Sequence, residues 1–102
     1  MAIAQAVIGT GATTLYTSSG SNATTAMFFM NDNASARTLN LHIVPSGDTA
    51  GVTNQIIKAV SIDPGDTYVI NTEKLVLSTG DFISATASAG SSIYATISHV
   101  SI

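Results

Sequence analysis

The sequence predicts an all-β protein: an antiparallel β-sandwich or jelly roll of about eight short strands, with an extended N-terminal segment. Three observations carry this. From Thr24 onward, short apolar runs recur at close spacing. Turn residues separate them, in NDNASA, SGD, DPGD, STGD and SAGSS. No stretch sustains a helical apolar period.

The elements follow in order. Met1–Ile8 (MAIAQAVI) reads as a first strand or an N-terminal arm. It lacks a basic start, and its apolar part is short and broken, so it is expected to be mature sequence rather than a signal peptide. Gly9–Asn22 is rich in Gly, Ser and Thr and holds one short strand at Thr13–Thr17. Residues 1–22 are therefore an arm or first strands, residues 23–102 the sandwich, and the whole a single domain. Thr24–Asn31 (TTAMFFMN) is apolar on both parities, with Ala26, Phe28 and Met30 on one side and Met27 and Phe29 on the other. It is a central strand, or a strand with one face against another subunit. Arg37–Pro45 alternates cleanly, Leu39, Leu41 and Ile43 against Thr38, Asn40 and His42.

Ser46–Asn54 is a long loop. Gln55–Ile62 is rich in β-branched residues and is expected as a strand, although Ile56, Ile57 and Val60 also fit a helical face. Asp63–Asp66 carries the Pro-Gly pair of a type II turn. Thr67–Ile70, Leu75–Leu77, Phe82–Ala87 and Ile93–Ile102 complete the strands, with a hairpin loop expected at Ser88–Ser92.

Composition narrows function. Of 102 residues, 9% are charged and 45% hydrophobic, and the net charge is −3. Ordinary soluble domains carry about 25% charged residues. A monomer of this mass exposes roughly 5,400 Å², and the few charged side chains could cover about a sixth of it. The surface is therefore Ser, Thr, Asn, Gly and apolar groups, and cover by neighbouring subunits is expected. No basic footprint for nucleic acid exists. No apolar run approaches the length of a membrane-spanning helix. Cysteine is absent, which excludes disulfides, thiol catalysis and Cys-based zinc sites.

Chemistry is sparse. The acids are Asp32, Asp48, Asp63, Asp66, Glu73 and Asp81, all at turns or strand ends. Asp48, Asp66 and Asp81 each follow a glycine. Calcium ligation would use such loop carboxylates, but turn geometry explains them as well, and no DxDxDG-type loop is present. His42 and His99 are the only histidines, too few for a usual metal site, and they read as outward-facing strand residues. No GxSxG element or phosphate loop occurs. No catalytic residue, metal or cofactor is expected. Glycan binding would want an aromatic platform; there is no Trp, and Tyr16, Tyr68 and Tyr94 are scattered.

The ordered set TTLYTSSGSNATTAMFFMN, ARTLNLHIVPSGDTAG and SIDPGDTYVINTEKLVLSTGDFISATAS resembles the small β-sandwich virion proteins of tailed bacteriophages, over residues 13–102. In them a strand pair leads into a "GDT" turn and an "LVLxxGD" hairpin opens the last strands, here at Gly65–Thr67 and Leu75–Asp81. The resemblance implies a non-enzymatic capsid decoration (cement) protein on the capsid exterior, assembled in the host cytoplasm. Its partners would be copies of itself, as a homotrimer, and the major capsid protein. A tail, neck or fibre component is the alternative, and a glycan-binding module a second one. Candidate contact residues are Ala2, Ile3, Gln5 and Val7 in the first segment, and Phe28, Phe29 and Met30 as apolar anchors. For all of them core packing is the competing role.

Overall fold

The computed structural model describes residues 2–72 and 74–102. The described residues form nine strands: β1 (Ala2–Ile8), β2 (Thr13–Thr17), β3 (Asn22–Asn31), β4 (Arg37–Val44), β5 (Gln55–Ile62), β6 (Thr67–Ile70), β7 (Val76–Leu77), β8 (Phe82–Ala87) and β9 (Ile93–Ser101). A 3-10 turn at Val52–Asn54 precedes β5. Gln55–Ile62, expected as a strand although some of its residues also fit a helical face, is the strand β5. Met1 and Glu73 lie outside the described residues.

The strands form two antiparallel sheets. One has the order β1-β9-β3-β6, with β7 paired to β3 beyond β6; the other is β2-β8-β4-β5. The pairing has a simple logic. β1 pairs with β9, β2 with β8, β3 with β6 and β7, and β4 with β5. The first four strands thus pair in reverse order with the rest, as one long ribbon closed by the β4–β5 connection. Rolling that ribbon brings β3 against β9 and β4 against β8. This is a jelly roll.

The roll corrects one expectation. Ser88–Ser92 does not close a hairpin, because β8 and β9 lie in different sheets. The same holds for Ser78–Asp81, between β7 and β8. A short turn joins strands across the sandwich as readily as within a sheet, so loop length does not distinguish the two.

The glycine turns follow local chemistry. Gly47, Gly65 and Gly80 have φ of 87°, 78° and 90°. Each precedes an Asp whose N–H donates to the carbonyl three residues back, at Pro45, Asp63 and Ser78. Positive φ at the third turn position is the type II geometry that favours glycine. Asp81 adds a second layer. Its Oδ2 accepts from the Ser78 N–H at 2.9 Å and its Oδ1 from the Ser46 N–H at 2.9 Å. These two hydrogen bonds, Ser78 first, hold its carboxyl below the usual carboxylate range.

The core lies between the sheets. Phe29, Met27, Leu39, Leu41, Ile83, Ile93 and Ile97 are almost fully buried there. Two asparagines bracket β3 and pin its ends. Asn22 Nδ2 donates to Ser18 Oγ and the Ser19 carbonyl. Asn31 Nδ2 donates to the carbonyls of Ser35 (3.0 Å) and Ile62 (2.9 Å), and its Oδ1 accepts from the Asn33 N–H (2.9 Å). Ile62 belongs to the opposite sheet, so Asn31 bridges the two. Each buried amide is satisfied, as burial requires.

Candidate interaction surface

The outer faces of the two sheets differ. On the β2-β8-β4-β5 sheet, the outward residues are mostly polar: Thr14, Thr17, Thr38, Asn40, Gln55 and Thr86. Asn40 is their hub. Its Nδ2 donates to Thr86 Oγ1, and its Oδ1 accepts from Gln55 Nε2 and from the Ala59 N–H. The 45–54 loop then folds back onto this face at His42. His42 Nδ1 lies 3.0 Å from the Gly51 carbonyl and 3.1 Å from Asn54 Oδ1. Asn54 Nδ2 donates to the Thr49 carbonyl, which fixes its Oδ1 as the acceptor. With two acceptors facing it, Nδ1 carries the ring proton. His42 is therefore covered by the loop rather than open on the strand surface.

The β1-β9-β3-β6 sheet has no such cover. Register places its outward side chains in cross-strand rows. Val7, Tyr94, Met30 and Thr67 form one row, and Gln5, Thr96, Phe28 and Val69 the next. Ile3, Ser98 and Ala26 follow, then Val100, Ala23 and Val76. Ile3 is 67% exposed, Val76 70%, and Val7, Phe28, Met30, Val69 and Tyr94 remain partly open. None of the five strands contains Asp, Glu, Lys or Arg. Lys74 sits at the margin, its Nζ donating to the carbonyls of Thr25 and Asn71. Four strands at about 4.8 Å spacing and roughly 27 Å of length make a face of about 500 Å². Gln5, Thr67, Thr96 and Ser98 make part of it polar, and the apolar remainder lies within the range of the largest patches found on monomers.

Of the expected contact residues, Ile3, Gln5, Val7, Phe28 and Met30 lie together on this face. Phe29 does not, and its role as a surface anchor is corrected. It is 0% exposed. Strand alternation turns it inward between its two outward neighbours. Ala2 also has inward parity, opposite His99 at the open end of the sheet. Tyr94, Val69 and Val76 complete the face and were not anticipated. Their signal was parity: inward Tyr68 and Ile70 leave Val69 outward, and inward Ile93 and Ala95 leave Tyr94 outward.

The other candidates stay apart. His99 turns inward rather than outward and stacks on Tyr16, with ring centroids 4.1 Å apart. It belongs to β9 and His42 to β4, in different sheets. Among the described residues, no three of His, Asp and Glu gather as a metal site would need. An open hollow beside the 45–54 loop is lined by Pro45, Thr49, Gly51 and Ile56, with Asp48 as its one charged group. No helix among the described residues is long and apolar enough to cross a membrane. Comparison with family models, curated proteins and solved structures finds no match.

Proposed function

We propose that this chain is a structural, assembling protein, and within that class a capsid decoration protein of a tailed bacteriophage. Its work is binding rather than catalysis. The observation that carries this reading is the charge-free apolar outer face of the β1-β9-β3-β6 sheet. The jelly roll supports it by analogy alone, since viral capsid domains share that architecture with lectins and cupins.

The energetics suit a lattice. Covering the face removes about 1,000 Å² from water, counting both partners, which is near the lower bound for a specific interface. With about 60% of that apolar, the gross gain is about 15 kcal/mol. Association costs about 4–15 kcal/mol in lost freedom. One contact is therefore weak, and many contacts repeated over a shell are strong. A tail, neck or fibre position would use the same face. Glycan binding fits less well, because the strands that carry Phe28 and Tyr94 hold no carboxylate and Gln5 is the one side-chain amide among the outward residues named there.

The test uses virions purified from the source of this chain. The chain should be present in numbers comparable to the major capsid protein, and far fewer copies would favour a tail part. Particles stripped of it should rebind the wild-type chain and not a Phe28→Lys, Val69→Lys variant assayed below its lowered melting temperature. Absence of the chain from virions overturns the proposal.

A further inference from the structure

The four sheet edges are not alike. β5 carries Lys58, irregular pairing to β4, and Ala59 at φ 54°. β2 has a register shift around Leu15. The β6–β7 edge is broken into two short strands, with Lys74 between them. Bulges, lysines and short strands are the devices by which proteins keep sheet edges from pairing. β1 has none of them. It runs seven residues with an unbroken register to β9, without proline or charge. Among the described residues its only hydrogen-bonded neighbour strand is β9.

The sequence of β1 is also self-complementary. In AIAQAVI, an antiparallel two-fold centred on Gln5 sets Ile3 opposite Val7 of the other copy and Ala4 opposite Ala6. Gln5 meets Gln5. Of the registers that keep inward residues opposite inward ones, this one uses all seven residues. It places Ile–Val pairs and a Gln–Gln pair on the outer side, with β-branched residues suited to a pleated surface and no like charges opposed.

We infer that β1 is a self-pairing edge: two copies of this chain join β1 to β1 about a two-fold axis through Gln5. The pair is isologous. It continues the β1-β9-β3-β6 sheet across both copies, and both apolar outer faces fall on the same side. One dimer thus presents a single doubled face. The inference deepens the assembly reading above and rests on it for its setting.

The chain has no cysteine, so Gln5→Cys gives a clean probe. Directly opposed residues in an antiparallel pair lie within disulfide reach. Under mild oxidation, Gln5→Cys should form covalent dimers about tenfold faster than Val69→Cys, an outward residue on β6. Gln5→Lys and Gln5→Glu should each sediment as monomers, and their mixture should pair again. Gln5 is exposed, and unchanged melting temperatures check that each variant folds. Equal cross-linking rates for the two cysteines overturn the inference, as does a charge-swapped mixture that stays monomeric. A wild-type trimer also overturns it, since an isologous pair cannot close a three-fold ring, and leaves the decoration function standing. Dimers through Gln5 in a protein absent from virions would uphold the edge and sink the function.

Discussion

Phe28 and Phe29 are adjacent and identical in type, yet their truncation should have opposite consequences. Phe29 is 0% exposed, so Phe29→Ala loses the full transfer energy and leaves a cavity, about 3–5 kcal/mol. Phe28 is 38% exposed. About three-fifths of a side chain of roughly 200 Å² is covered, near 120 Å², which sets an upper limit of about 3 kcal/mol. The alanine Cβ keeps part of that, and the open outer face adds no cavity term, leaving about 2 kcal/mol. A chain of this length has an unfolding entropy of about 0.2 kcal/mol/K. The expected melting shifts are thus about 20 °C for Phe29→Ala and about 10 °C for Phe28→Ala. Association should rank the other way. Phe28→Ala should weaken binding to particles, and Phe29→Ala, measured below its lowered melting point, should retain it. Calorimetry and a particle-binding assay on the two variants suffice. Equal destabilisation would mean that some part of the chain covers Phe28, and the case for an open face would fail.

Three further outcomes follow from single contacts. Asn31→Ala and the similar-sized Asn31→Leu should both lose about 2–3 kcal/mol in urea denaturation, because each orphans the buried Ile62 carbonyl; full rescue by leucine would assign the cost to volume instead. Gly80→Ala should cost about 1–3 kcal/mol, since φ is 90° and a Cβ there would collide with the Ser46 side chain; wild-type stability would contradict the turn geometry. Asp81 has a lowered folded-state pKa, so its stabilising contribution is complete above the ordinary carboxylate range and is lost as pH falls through the lowered value. Asp81→Asn should therefore flatten the acid limb of the stability profile relative to wild type, and an unchanged limb would refute the role of the two N–H donors.

Local signals in this chain are informative and long-range ones are not. β2, β5, β6 and β8 have the boundaries their alternation and flanking turns suggest, because both are properties of a few neighbouring residues. Pairing order depends on how the ribbon rolls, and nothing within a strand encodes it. That is why Ser88–Ser92 looks like a hairpin loop and is a crossing between sheets. The same limit applies to the surface. Parity separates Phe28 and Met30 from Met27 and Phe29, yet an apolar run cannot say which set faces out. The choice is made by the opposite sheet, whose Leu39, Leu41 and Ile83 are met from one side only. His99 shows the converse. It reads as a polar outward residue, and its register opposite Ala2 turns it inward onto Tyr16.

The contrast between the two outer faces argues that the bare one is placed rather than left over. A β-strand needs residues that suit a pleated surface, and threonine meets that need while tolerating water. The β2-β8-β4-β5 sheet uses it that way, with Thr14, Thr17, Thr38 and Thr86 outward. The chain's longest loop then covers that sheet, burying Val44 and His42 beneath it. The opposite sheet receives no loop, and its central strand turns Phe28 and Met30 outward, where threonine would have served as well. Methionine has little to recommend it in an exposed strand, and much to recommend it on a surface that must fit an apolar partner. Among the described residues the charges lie in the turns and on the other sheet, at the ends and back of the molecule. The uncharged β1 edge borders the bare face, and the proposed pairing there would use its backbone groups while Ile3, Gln5 and Val7 keep their side chains on the face.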